Sequence, residues 1–370
     1  MTQNLGRLTP PPPQAVASAL RIDHLTIEWL AGDGSDRCYF RIRSPELRKS
    51  LVLMQLSGSD ADNLKKGRYD WVDVSKLLKS KNISAPSCVA ILSEHAAIII
   101  DDYGDLMLET IALDLAKKNS LNGCLHLYRQ SLETIGRFLD IKATSGDVWT
   151  SRAFDQARFE WELNFFVSKY LVPVAHYKLS TQEEADFNND IRAISSYLAQ
   201  ASRYFVHRDF HSRNIMIHDD RVAIIDFQDA RLGPPSYDLV SLVFDSYVPL
   251  SPETRMSLLE EGLEVIEKLA GTSTCDRARD EWRPMLLQRQ LKAIGSFGYL
   301  TVDKRKGDYL KNVAPALQTI LDAGVQDVRW PFLSGKLLQI LAKTLPDRTS
   351  FGGAPAGKLH LAQASSSGQA

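Results

Sequence analysis

Cysteine is scarce and scattered. The 370 residues contain four, Cys38, Cys88, Cys124 and Cys275, with no Cys-x-x-Cys pair. That spacing excludes a zinc ribbon and a disulfide scaffold, and it fits a reducing compartment, read here as the cytoplasm. Long apolar runs are missing too: 96–100 and 239–244 fall far short of the ~20 residues that span a bilayer, so no membrane partner is expected. No basic-then-apolar leader opens the chain. Neither sign of charge dominates, with 44 Lys and Arg against 45 Asp and Glu. That balance removes the bulk electrostatic argument for a nucleic-acid partner. No internal repeat is found. What is present, 44% hydrophobic and 9% aromatic residues, is the composition of a globular protein with room for about two domains.

The texture changes once along the chain. A polar, Pro-rich start reads as a flexible arm over 1–18, and the Gly, Ala and Ser of 348–370 read as a flexible tail. Between them, 19–104 carries strand patterns at 25–30, 37–43, 51–56, 88–92 and 96–100, with one helical stretch at 69–78. From 105 to 347 apolar residues recur at three- and four-residue spacing, at 125–139, 159–171, 183–198, 256–269 and 282–300. One β interruption lies at 205–227. A small β-rich lobe, an acidic connector and a larger helical lobe are expected, a plan that suits a ligand held between lobes.

Residues 206–238 carry the chemistry. Two short apolar runs, Ile215-Met216-Ile217 and Val222-Ala223-Ile224-Ile225, flank a polar turn and predict a β-hairpin. A three-residue loop at 219–221 places Asn214 opposite Asp226 on one face, where amide oxygen and carboxylate reach one Mg²⁺. A two-residue loop faces Asn214 with Ile225 instead, so the longer loop, or a bend at Asp226, is expected. Asp209, on the loop before the first strand, is placed to accept or orient the proton of an attacking hydroxyl. His207 belongs to the same set as a residue that holds the loop rather than as a proton carrier. Asp238 is read as a helix N-terminal residue that ties the loop down. A zinc site at His207, Asp209 and His211 is the competing reading; the strand that follows and the lack of a Glu after His207 argue against it.

His207-Arg208-Asp209 with Asn214 five residues on, then Asp226 at a strand end, resembles the catalytic signature of the protein-kinase-like superfamily. His211 and Tyr237-Asp238 make it most similar to the aminoglycoside and choline phosphotransferases. The resemblance implies an α+β, protein-kinase-like two-lobed fold. It also implies ATP and Mg²⁺ as cofactors, and a small-molecule acceptor. Shorter stretches are similar to the bacterial kinases that phosphorylate the anomeric hydroxyl of N-acetylmuramate and N-acetylglucosamine. They include Gly32-Asp33-Gly34-Ser35 with Arg37, Met54, Glu162-Leu163, and Arg289 to Gly295. An amino-sugar acceptor in cell-wall recycling is the implied function. A cationic acceptor of the aminoglycoside or choline type is the alternative; an inactive nucleotide-binding module is another.

On the nucleotide side, Gly32, Gly34 and Ser35 form a loop whose backbone N–H groups can approach phosphates closely. Arg37, Tyr39, Arg41 and Arg43 share one face of the next strand, and Arg37 lies nearest that loop; the others read as solvated. Kinases place a phosphate-neutralising Lys in the strand after that, where this chain has Gln55, an uncharged donor. Arg37 is the replacement cation expected. In the connector, the resemblance implies a purine edge on the backbone near Tyr103 and a ribose on Asp102. Glu162, Arg213 and Asp229 are the acceptor-site candidates.

Overall fold

The computed structural model of the chain describes residues 8–32, 37–144 and 146–345. Gly34, Ser35 and the tail at 348–370 lie outside them. A short helix, α1 (Pro13–Leu20), leads into strands β1 (Thr26–Gly32), β2 (Cys38–Arg43) and β3 (Leu51–Gln55). Helices α2 (Gly58–Lys65) and α3 (Asp70–Ser80) follow, then β4 (Cys88–Leu92), β5 (Ala97–Asp101), α4 (Leu108–Lys117) and α5 (Leu125–Leu139). After α6 (Gln156–Phe166) and α7 (Thr181–Ala199) come four short strands: β6 (Tyr204–Val206), β7 (Ile215–His218), β8 (Arg221–Ile224) and β9 (Arg231–Gly233). The remainder is helical, with α8 (Pro235–Val243), α9 (Pro252–Ala270), α10 (Thr272–Val302), α11 (Val313–Asp322) and α12 (Leu337–Lys343).

These elements form two compact units. One takes in residues 8–153, 203–238 and 268–270; the other takes in 154–202, 239–267 and 271–345. The expected boundary at 104/105 is therefore not where the compact units part: the β-rich sheet, α4, α5 and the catalytic hairpin belong to one of them.

In the first unit the strands run antiparallel in the order β1-β2-β3-β5-β4. Central β3 is buried along its whole length, which is why Leu51 to Met54 read as an unbroken apolar run. Phe40 and Ile42 of β2 enter the core with Leu51, Leu53 and Ile99, as their alternation predicts. Val16 joins that cluster, fully buried. Residues 13–20 are thus helix α1 and not part of an arm. The proline run supplies the preset φ of a helical first turn, and Arg21 at φ 56° closes the helix with its N–H on the Ala17 carbonyl.

In the second unit α10 passes α6 and the π-turn at 167–171 at backbone distance. A Cβ on Gly295 would lie 2.8 Å from Phe166 Cα, and one on Gly298 would overlap the Lys169 carbonyl. The buried Asp190 carboxylate of α7 accepts the Phe332 and Leu333 N–H groups at 2.7 and 3.0 Å, satisfying a helical start that has no cap of its own. Among the described residues no helix is long and apolar enough to cross a membrane.

Candidate active site

The hairpin is the expected one with a shorter turn. His218 pairs with Arg221 and Ile215 with Ile224, leaving a two-residue turn at Asp219 and Asp220, not the three-residue loop. Both turn residues sit at positive φ, 50° and 58°, the twist that a two-residue hairpin demands. Helix α5 clasps this tip: Gln130 donates to the Asp220 carbonyl at 3.0 Å and accepts from the Val222 N–H, and His126 meets the Asp220 carboxylate at 3.1 Å. The register consequently continues with Asn214 opposite Ile225, whose N–H donates to the Asn214 carbonyl at 3.0 Å. Asp226 leaves the strand through a bend at φ 64°, the second of the two expected geometries. Phe227, fully buried against Trp71 with ring centroids 5.1 Å apart, anchors that bend.

The loop before the hairpin is held from both ends. Asp238, in the first turn of α8, accepts the backbone N–H of His207 at 2.6 Å and of Arg208 at 3.0 Å. Arg208 itself is at φ 83°, a conformation a side chain adopts at a cost of about 1–2 kcal/mol, and this carboxylate fixes it. The His207 imidazole is fully buried, and Nε2 lies 2.9 Å from the Ile225 carbonyl, which can only accept. Nε2 therefore carries the hydrogen. Burial lowers the His207 pKa to about 4, outweighing the pull of Asp209, so the ring is neutral at pH 7 and acts as a strut between loop and bend. Asp209 stands between these supports, and the Asn214 amide donates to its backbone carbonyl at 2.9 Å.

That bond turns the Asn214 amide nitrogen toward the loop and leaves Oδ1 as the acceptor side of the group. An amide oxygen here and the carboxylate of Asp226 are each hard oxygen donors, the kind of ligand Mg²⁺ takes. Among the described residues no three His, Cys, Asp or Glu side chains gather as a metal site, so the zinc reading has no cluster to stand on. Gln228, which the sequence did not single out, donates to Asp226 Oδ1 at 2.6 Å.

Around the bend the nucleotide candidates separate. Arg37 places Nη1 3.8 Å from Asp226 Oδ1, and its Nε and Nη2 reach Asp60 of α2 at 3.0 and 2.9 Å. The Gln55 carboxamide is buried and donates to the His95 and Ala96 carbonyls at 2.8 and 3.2 Å. Arg41 is not solvated. Its guanidinium is buried and forks onto Asp102 at 2.7 and 3.2 Å and onto Asp105 at 2.8 and 3.0 Å, with the Gly104 carbonyl at 3.3 Å. Asp102 also accepts from Ser50 at 2.6 Å and from the Gly104 N–H at 2.8 Å. Burial opposes ionisation of Asp102, but these donors hold its pKa below the usual carboxylate value. The carboxylate is a clamp in the connector, and its lone pairs are committed to the protein rather than to a ribose. Tyr103 follows, with its phenol toward the Ala85 carbonyl at 3.4 Å and its ring against His218.

The acceptor candidates do not form one group. Arg213 is locked in a two-bond pair with Glu109 of α4 at 2.8 and 2.9 Å, which is an anchor for the loop. Asp229 gathers three arginines instead: Arg208 at 2.8 Å, Arg152 at 3.7 Å and Arg231 at 3.9 Å. Glu162 lies in the other compact unit, fully buried, with Gln288 donating to it at 2.8 Å and Arg158 in an ion contact at 3.4 Å that is not a hydrogen bond.

A family model described as the phosphotransferase enzyme family matches residues 27–272. The chain is 26% identical over 288 residues to an N-acetylmuramate/N-acetylglucosamine kinase of Neisseria meningitidis serogroup B, covering 76% of this chain and 81% of that protein. It is 27% identical over 286 residues to the Pseudomonas aeruginosa protein of the same description, covering 76% and 79%. Among solved structures, an ADP-bound aminoglycoside phosphotransferase superposes with a TM-score of 0.54 at 16% identity, over 83% of this chain and 96% of that one. An ethanolamine kinase of Plasmodium vivax gives 0.54 at 14% identity, over 84% of each. These likenesses bear out the expected fold: α+β and protein-kinase-like, with an antiparallel β-rich lobe and a mainly helical one.

Proposed function

The chain belongs to the phosphotransferase enzyme family, and from that premise we propose that it moves the γ-phosphoryl group of ATP to a hydroxyl of an amino sugar of the N-acetylmuramate/N-acetylglucosamine type. The observation that carries the reading is the doubly anchored loop. Asp238 grips the two residues before Asp209, and Asn214 grips the carbonyl of Asp209 itself. A carboxylate held in that way accepts the hydrogen bond of an acceptor hydroxyl and keeps its oxygen in line with the phosphorus. Asn214 and Asp226 are the residues that would hold Mg²⁺, whose contribution when bound is to neutralise phosphate charge. Tyr103 and its peptide neighbours offer the purine edge, and Arg37 the positive charge at the phosphates. ATP and reduced cysteines coexist in the cytoplasm, where we place the reaction.

The acceptor follows from charge. Three arginines converge on Asp229, and one of them, Arg208, joins it to Asp209, at 2.8 Å and 3.8 Å respectively. A polycationic acceptor requires carboxylates with no such partners, so this neighbourhood favours a neutral or acidic sugar. The kinases named above supply the sugar class. The test is ATP consumption with Mg²⁺ across amino sugars, aminoglycosides, choline and ethanolamine. N-acetylated amino sugars should support turnover; turnover with the cationic acceptors alone would replace the sugar reading by the alternative. Asp209→Ala should lower turnover by a factor on the order of 10³ or more while ATP binding persists, and full activity in that variant would refute the role.

A further inference from the structure

We infer that Arg37 and Asp60 together replace the phosphate-neutralising ion pair that kinase-like enzymes build around a lysine of β3. The inference rests on the nucleotide site proposed above and adds to it a specific pair of residues. At the lysine position the chain carries Gln55. Its carboxamide hydrogens are directed at the His95 and Ala96 carbonyls, so the residue brings no charge and is not turned toward phosphate. The positive charge has to come from elsewhere, and the arginines of the neighbouring strand can be compared directly.

Arg41 is consumed by Asp102 and Asp105, and Arg43 is exposed and faces Glu28 across the strand pair at 3.4 Å. Arg37, just before β2, is different. One edge of its guanidinium, Nε and Nη2, is fastened to Asp60 of α2, while Nη1 points to Asp226 from 3.8 Å. That last separation is an ion contact and is too long for a hydrogen bond. The side chain is only 12% exposed, so its charge acts through little intervening water. Arg37, ahead of β2, thus links the Asp60 carboxylate of α2 to the Asp226 carboxylate. A phosphate oxygen drawn to the Asp226 side would meet Nη1, with the planar fork kept in orientation by Asp60. Arg37 is the residue that touches the nucleotide; Asp60 is a positioning residue.

Calorimetry with ADP and with adenosine, each in the presence of Mg²⁺, separates the parts of the claim on the full chain. The unaltered protein should bind ADP more tightly than adenosine; if it does not, the nucleotide site itself is misread. Given that difference, Arg37→Gln should lower ADP affinity about 10- to 100-fold, the worth of a charge-assisted hydrogen bond, and leave adenosine unchanged. Arg37→Lys should recover only part of the affinity, because one ammonium cannot hold Asp60 and meet a phosphate oxygen as the guanidinium fork does. Asp60→Asn should lower ADP affinity by less, and should add nothing in the Arg37→Gln background, because the two act as one unit. Unchanged ADP affinity in Arg37→Gln, or an equal loss for adenosine, overturns the inference. Should Arg37→Gln not fold, Asp60→Asn carries the test by the same two readings.

Discussion

His207 is neutral because burial leaves its ring almost no water in which to be charged, a cost that outweighs the Ile225 carbonyl and the nearby Asp209, both of which favour the proton. The unfolded chain has no such bias, so the two states differ in proton uptake. The pKa in the folded state, about 4, lies below the usual histidine value near 6.5. Above pH 6.5 the ring is neutral in both states and contributes no pH dependence. As pH falls through 6.5 the unfolded state binds the proton first, and stability declines until the folded ring also titrates near 4. The loss across that window is roughly 3 kcal/mol. Denaturant unfolding between pH 7 and 4 should therefore show a steeper decline in the unaltered protein than in His207→Gln, and parallel curves would contradict the buried neutral ring. The sequence indicated a loop-holding role for this histidine because motif and spacing are local. It did not indicate Gln228 or Asp60, since neither a glutamine after Phe227 nor an aspartate in α2 differs, as a residue, from a surface one.

Strand alternation is a good guide to β2 on the apolar face and a poor one on the other. Phe40 and Ile42 enter the core as expected, whereas Arg41 is buried because Asp102 and Asp105, more than sixty residues away, turn toward it. Nothing in a window of sequence encodes that meeting. Removing the cation leaves the buried Asp102 unpaired, so Arg41→Ala should lower unfolding free energy by about 3–5 kcal/mol in denaturant titration. Arg41→Lys should recover only part of it, because an ammonium cannot fork onto two carboxylates. Complete recovery by lysine would mean that charge alone, without the bidentate geometry, is what the connector needs. The hairpin gives a second lesson at this scale. Its two strands were legible, but turn length was not, since Asp219 and Asp220 tolerate the positive φ that usually marks Gly or Asn. Asp226, one residue past the Asn214–Ile225 pairing, turns away from the strand at φ 64°.

For the molecule as a whole, the helical spacing of the second half was legible as periodicity, and the helices at 125–139, 181–199 and 252–270 lie where it placed them. The division of the chain was less legible, because the compact units interleave segments distant in sequence, and apolar pattern does not report which helix meets which. Close packing in the second unit depends on two glycines that the pattern leaves unmarked. Gly298→Ala drives a methyl group into the Lys169 carbonyl, backbone against backbone, and should destabilise the protein by about 2–4 kcal/mol in a thermal melt. A melt unchanged from that of the unaltered chain would show that α10 can shift at no cost.

Gln55 has a practical consequence. Reagents that identify nucleotide-binding proteins by acylating an amine beside the phosphates require a nucleophile at that strand, and a carboxamide is not one. Nor does the guanidinium of Arg37 react under conditions that acylate lysine. Labelling of that kind would leave both Gln55 and Arg37 unmodified.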